Sequence, residues 1–294
     1  MKTLRTPLLS AMLALLAVST ASAQTVQYIL VQKERYYTQL TNGTVNNNPA
    51  FEFTASVEPA NGQNLSGIAT PSVTSKPGGT GPIGPMVYIP GDGNWQIQSS
   101  YGSLMDLNGA YGAGSYGISV LGETVSVNLA GEPYTPIPII GLSGGSISGG
   151  ILNWNVGQAL TLTLADPNIV GVPPAAIDVM SLGVWGMDTT FERNVIQFAN
   201  TPALSITIAA NTFIAGKTYE IEASFVNISG GTGLTAISGG TLDGVLTGGI
   251  YGTTTTFQLY AIPEPSTYAA FAGLGALGLA FWCRRKQAAQ ARLA

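Results

Sequence analysis

The clearest pattern in the chain is an alternation of apolar and polar side chains with a period of two. Phe51-Glu52-Phe53-Thr54-Ala55-Ser56-Val57 places Phe51, Phe53, Ala55 and Val57 on one face of a strand and the polar residues on the other. The same alternation recurs over residues 116–120, 124–129, 160–164, 204–208, 219–226 and 255–260. β-Branched and aromatic residues dominate these runs, and clusters of Gly, Pro, Asn and Asp separate them. Helical periodicity is almost absent between the two ends of the chain. Many short strands at a spacing of about ten residues predict an all-β architecture, an antiparallel sandwich or barrel.

The second half favours the sandwich. The strand over 204–208 is followed by Phe213-Ile214-Ala215-Gly216-Lys217-Thr218-Tyr219 and a further alternating strand. This order resembles the tyrosine corner of immunoglobulin-like and fibronectin type III domains, in which the Tyr ring packs and its hydroxyl bonds backbone upstream. A weaker echo precedes Tyr116, about 100 residues earlier, which is the size of one such domain. The expectation is two tandem immunoglobulin-like sandwiches, residues 24–132 and 133–260, meeting near Gly131-Glu132-Pro133. A single larger two-sheet domain is the alternative. Residues 76–90, rich in Gly and Pro, are expected to form a long loop whose prolines suit only an edge strand.

The two ends follow different rules. Lys2 and Arg5 precede an apolar run over 8–18, and Ala21-Ser22-Ala23 supplies small residues before Gln24. Residues 1–23 therefore read as a secretory signal peptide cleaved after Ala23, with Ala21 and Ala23 as the cleavage-site residues. The apolar run is shorter than the roughly 20 residues that a membrane-spanning helix needs. At the other end, Pro263-Glu264-Pro265-Ser266-Thr267 precedes an apolar stretch over 269–282, then Cys283-Arg284-Arg285-Lys286. Tyr268 and Trp282 bracket that stretch as interfacial aromatics. The basic cluster Arg284, Arg285 and Lys286 marks its cytoplasmic end, so a single C-terminal transmembrane helix is expected. Residues 287–294 then form a cytoplasmic tail.

This ordered combination closely resembles the PEP-CTERM sorting domain, over residues 261–286. The resemblance implies that Pro263, Glu264 and Pro265 are the recognition residues of an exosortase, a membrane-embedded cysteine protease or transpeptidase. It also implies a Gram-negative host that makes extracellular polysaccharide. The precursor would be held in the inner membrane by one helix, and the mature form would work at the cell surface or outside it. The prolines flanking Glu264 agree with that role, because they keep the chain extended as a protease requires.

Charge and composition narrow the partners. Between Gln24 and Ile262 there are 5 basic and 14 acidic residues, so the net charge is 5 − 14 = −9. Such an acidic surface cannot neutralise a row of phosphates, which argues against nucleic acid. Charged residues make up only 9% of the chain, yet 45% is hydrophobic, enough for a core. The one cysteine, Cys283, lies beyond the exported segment, which can therefore form no disulfide.

The chain contains no histidine, and this removes several chemistries. Gly141-Leu142-Ser143-Gly144-Gly145 matches a nucleophile elbow in letters only, since no histidine can take the serine proton. Gly112-Ala113-Gly114-Ser115-Tyr116-Gly117 fits a dinucleotide fingerprint but opens a strand, where that device needs a helix. The turns around Asp92 and Asp106 lack the spaced carboxylates of a calcium loop. No metal or other cofactor is expected.

The favoured function is a non-enzymatic exported surface or matrix protein, associated with exopolysaccharide or biofilm. The alternative is a carbohydrate-binding module using exposed Trp95, Trp154 or Trp185. A carboxylate-dependent glycoside hydrolase is the third reading, because Asp178, Asp188 and Glu192 share one stretch with Trp185.

Overall fold

The computed structural model describes residues 26–264 except 61–62, 130, 132–133, 166–177, 199–202 and 230–233, together with 273–277 and 279–281. Strands dominate, and one large sheet organises the rest. Its central strand is β18 (Leu246–Ile262), the last and longest. On one side β18 is flanked by β16 (Thr218–Ile228), then β13 (Val179–Gly186) and β14 (Glu192–Phe198). On the other side it is flanked by β1 (Val26–Thr38), β2 (Ala50–Pro59), β6 (Asn94–Tyr101) and the edge strand β5 (Val87–Ile89). Short strands β10 (Ile147–Ser148), β11 (Ile151–Asn155) and β17 (Thr235–Ala236) attach along the same sheet.

Two smaller sheets contribute to separate cores against the large one. The four-stranded sheet is β4 (Gly84–Pro85), β3 (Ser72–Ser75), β7 (Gly114–Val120) and β8 (Glu123–Leu129). Val73, Ile118, Val120, Val127 and Leu129 from it meet Ile29, Val31, Phe53, Ala55 and Val57 in one core. The three-stranded sheet is β15 (Ala203–Ile208), β12 (Leu160–Ala165) and β9 (Ile140–Leu142). Its Leu160, Leu162, Leu164, Leu204 and Ile206 meet Leu182, Ile221, Phe257 and Leu259 in a second core. Residues directly paired across strands share a face, and by this register both cores lie on one face of the large sheet.

The period-two expectations correspond to strands β2, β7, β8, β12, β15, β16 and β18, and Phe51, Phe53, Ala55 and Val57 all enter the first core. Residues 76–90 contain β4 and β5, which are edge strands, as the missing amide protons of the prolines require. Three features depart from the expectation. A short helix, α1 (Leu104–Ala110), begins at Ser103, whose hydroxyl accepts from the Asp106 amide at 3.1 Å and donates to the Asp106 carboxylate at 2.7 Å. The large sheet is mixed, because β18 runs parallel to both β1 and β11. Antiparallel pairing follows from local hairpins, whereas β1 and β18 meet across more than 200 residues and no turn sets their sense. Finally, strands from both halves of the chain join in this one sheet, which the β1–β18 ladder holds together.

A polar belt separates the two cores. Thr135 accepts at its carbonyl from the Arg35 guanidinium at 2.6 Å and from the Thr253 hydroxyl at 3.0 Å. Its own hydroxyl donates to the Phe225 carbonyl at 2.9 Å. The Arg35 guanidinium also lies over the Tyr134 ring, 4.4 Å from its centroid. β8 approaches β18 so closely that a Cβ at Gly249 would fall 2.8 Å from the Leu129 Cα, so only glycine fits there.

Both tyrosines singled out by the sequence are fully buried and bond backbone upstream. The Tyr219 hydroxyl accepts from the Ile214 amide at 2.8 Å, and the Tyr116 hydroxyl donates to the Gly112 carbonyl at 2.6 Å. Tyr219→Phe leaves the Ile214 amide without this partner, so it should lower stability by about 1–2 kcal/mol. Thermal melting would show this as a fall in Tm of roughly 2–8 °C, and an unchanged Tm would contradict it.

Candidate functional site

The site begins where the large sheet ends. β18 runs about 20 Å past the end of its ladder with β1, at about 3.3 Å per residue, and finishes between β11 and β16. Ala261, near its tip, is fully buried in the second core. The tip is tied on both sides: the Val156 amide donates to the Ile262 carbonyl at 3.0 Å, the Ala261 amide to the Lys217 carbonyl at 3.0 Å, and the Gly216 amide to the Ala261 carbonyl at 2.7 Å. Pro263 follows at once, with no linker. A proline there has no amide proton to continue the ladder, so the strand must stop.

Pro263 and Glu264 are half-buried beside the turn that joins β11 to β12. In this turn the Asn155 side chain accepts from the Gly157 amide at 2.9 Å and the Asn155 carbonyl from the Gln158 amide at 3.0 Å. The Trp154 indole N–H donates to the Gln158 carbonyl at 3.1 Å, bracing the turn from below. Residues 261–286 match the model of the PEP-CTERM protein-sorting motif. The chain carries a PEP-CTERM sorting motif at its C-terminal end. No curated protein matches the chain. The motif supports an exported protein that an exosortase processes.

The PEP-CTERM segment overlaps the fold, since Ala261 and Ile262 are both the end of β18 and the start of the motif. Of the three residues expected to be recognised, Pro263 and Glu264 are described, and Pro265 lies outside the described residues. The same holds for the basic cluster Arg284, Arg285 and Lys286, for Ala21 and Ala23 of the leader, and for the 132–133 junction. Residues 273–277 and 279–281 are helical. Among the described residues no helix is long and apolar enough to cross a membrane.

The tryptophans stand apart from one another. Trp154 is only 5% exposed and belongs to the second core, which removes the exposed ring its reading as a sugar contact required. Trp95 packs on the first core, tilted against Tyr88, and its N–H donates to the Leu65 carbonyl at 2.8 Å. Trp185 packs against a third cluster, which includes Tyr28, Leu30 and Val226.

Of the acids proposed as a hydrolytic set, Asp178 and Asp188 are separated. Asp178 caps the chain by accepting from the Ile228 amide at 2.6 Å, and Asp188 pairs with Lys217 at 3.3 Å on the surface. They sit at opposite ends of β13, roughly 25 Å apart at strand rise. Carboxyl pairs that cleave glycosides work at about 5–9.5 Å.

A different set of acids, which the sequence did not single out, is brought together. The face of the large sheet opposite its two main cores carries Glu34 on β1, Glu52 on β2 and Glu222 on β16, each no more than 7% exposed. Glu34 and Glu52 are direct cross-strand partners. Tyr36 donates its hydroxyl to Glu34, while Gln98 and Thr54 donate to Glu52 at 2.7 and 3.3 Å. Gly252, opposite Glu34, leaves the space this side chain fills, because a Cβ there would lie 3.0 Å from its Oε1.

Burial and the neighbouring Glu52 charge raise the Glu34 carboxyl to about 7. Burial, with the charges of Glu220 and Glu34, raises Glu222 to about 8. Burial pushes Glu52 up as well. The nearby basic residues of β1 serve the other face, where the Lys33 ammonium donates to the Asn108 side chain at 2.7 Å and Arg35 reaches Thr135. A trace of this face was present in the sequence, since the polar positions of 51–57 are Glu, Thr and Ser, but periodicity cannot tell a solvated face from a covered one.

Proposed function

We propose that this protein is a non-enzymatic surface or matrix protein. Its β-sheet ectodomain, built as two sandwich units on one shared sheet, is delivered by the sorting signal to the cell surface or beyond. A single-pass helix within 261–286 holds the precursor in the inner membrane until the exosortase acts at Pro263-Glu264-Pro265. Association with extracellular polysaccharide is part of this reading. One observation carries it: the final strand leads straight into the matched motif, so processing there leaves the folded sheet whole.

The membrane step has its own support. Leu274, Leu277, Leu279 and Phe281, in the helical residues after the motif, are 58–69% exposed, and lipid would relieve the cost of hydrating them. Mass spectrometry of the protein's C-terminus, in cells with and without exosortase, tests the proposal. Loss of Arg284-Arg285-Lys286 only where the enzyme is present is the expected result, and Glu264→Ala should suppress it at least tenfold. An intact tail in both cells would leave a permanent anchor and end the sorting reading.

A further inference from the structure

Gly157 is a glycine without a conformational reason. Its φ is not among the positive values that demand glycine, so alanine fits its backbone. What a side chain at this position would meet is Glu264. An added Cβ would overlap the Glu264 carboxylate and lie 2.6 Å from its Cγ, and the three atoms nearest to it all belong to that one residue. The turn around it is held by Asn155, Trp154 and the Val156–Ile262 hydrogen bond. The Asn211 amide also donates to the Val156 carbonyl at 2.6 Å.

From this geometry we propose that the β11–β12 turn is a seat for the sorting motif, with Gly157 as the positioning residue that admits Glu264. The inference rests on the exosortase reading above and adds a control to it. A processing enzyme must enclose the residues it reads, and a side chain lodged against the turn is covered on that side. Recognition therefore follows local release of Pro263 and Glu264 from the ectodomain. The folded domain slows its own processing by the fraction of time the motif spends seated.

The consequence is opposite to that of an ordinary damaging substitution. Gly157→Ala pushes aside only the end of a flexible side chain, so the ectodomain keeps its Tm while Glu264 is displaced. Pulse–chase of the full chain in exosortase-containing cells should then show conversion of precursor to processed form at least about threefold faster than wild type. A Gly-Ser-Gly-Ser insertion between Ile262 and Pro263, which carries the motif away from the turn, should accelerate it similarly. If Gly157→Ala melts early, the insertion decides alone. Equal or slower conversion in the deciding variant, with wild type processed normally, overturns the seat and leaves the sorting reading intact. Absence of exosortase-dependent processing in wild type overturns both.

Discussion

Phe53→Ala should lower the stability of the ectodomain by about 3–5 kcal/mol, the range for removing a large aromatic ring from a packed core. Phe53 is fully buried in the middle of β2. Its ring stacks on Tyr111 with centroids 3.6 Å apart and planes 4° from parallel, and Tyr116 lies tilted against it at 5.5 Å. Tyr111 in turn holds the Gly- and Pro-rich segment: its hydroxyl donates to the Pro82 carbonyl at 2.9 Å, and a Cβ at Gly81 would meet its ring. Lys76 stands over the same ring, 5.0 Å from its centroid. Alanine at 53 thus leaves a cavity beneath the residue that pins residues 76–82. At roughly 2–4 °C per kcal/mol, Tm should fall by about 6–20 °C, with new protease cleavage between 76 and 90. Phe53→Leu should cost distinctly less, and a fall under about 2 °C for the alanine variant would contradict this account of the core.

The buried carboxyls make stability fall as pH rises. In the unfolded chain Glu34 and Glu222 lose their protons near 4.5, whereas in the native sheet they keep them to about 7 and about 8. Between these limits the native state binds more protons than the unfolded one, so each step up in pH weakens folding. The contribution is complete below pH 4.5 and is lost as pH passes through 7 to 8. The change is on the order of 3 kcal/mol for Glu34 and of 5 kcal/mol for Glu222. Glu52, Glu220 and Tyr36 are the other titratable groups acting on this pair. Glutamine keeps the shape and removes the ionisation. The double variant Glu34→Gln, Glu222→Gln should therefore melt about 10 °C or more above wild type at pH 8 and close to it at pH 4.5. A wild-type Tm that is flat or rises between pH 5 and 8 would refute the assignment.

Strands whose burial is one-sided were legible from their alternation. β12 and β15 show Leu or Ile inward at every step and threonine, serine or a terminal alanine outward, and their pairing conforms. β1 was not legible as a strand. Its centre reads Gln32-Lys33-Glu34-Arg35, a run that looks solvated, yet Lys33 is fully buried. Its partners, Asn108 for Lys33 and Thr135 for Arg35, lie 75 and 100 residues further along the chain. Among the candidate tryptophans Trp154 turned inward for a related reason, since ring type says nothing about exposure. At the site, Pro263 and Glu264 were found from their order before an apolar, basic-ended tail, whereas Gly157 carries no motif at all.

Local order alone therefore established two things: the β-class of the ectodomain, and the sorting motif with its prolines. Each depends on side chains a few residues apart, within reach of strand pleat or helix pitch. The parallel joining of β1 to β18, the burial of Glu34, Glu52 and Glu222, and the seating of Glu264 against Gly157 were settled only by the folded chain. Those features depend on partners as much as 200 positions and more apart, and no local preference specifies which distant strand will cover a given face.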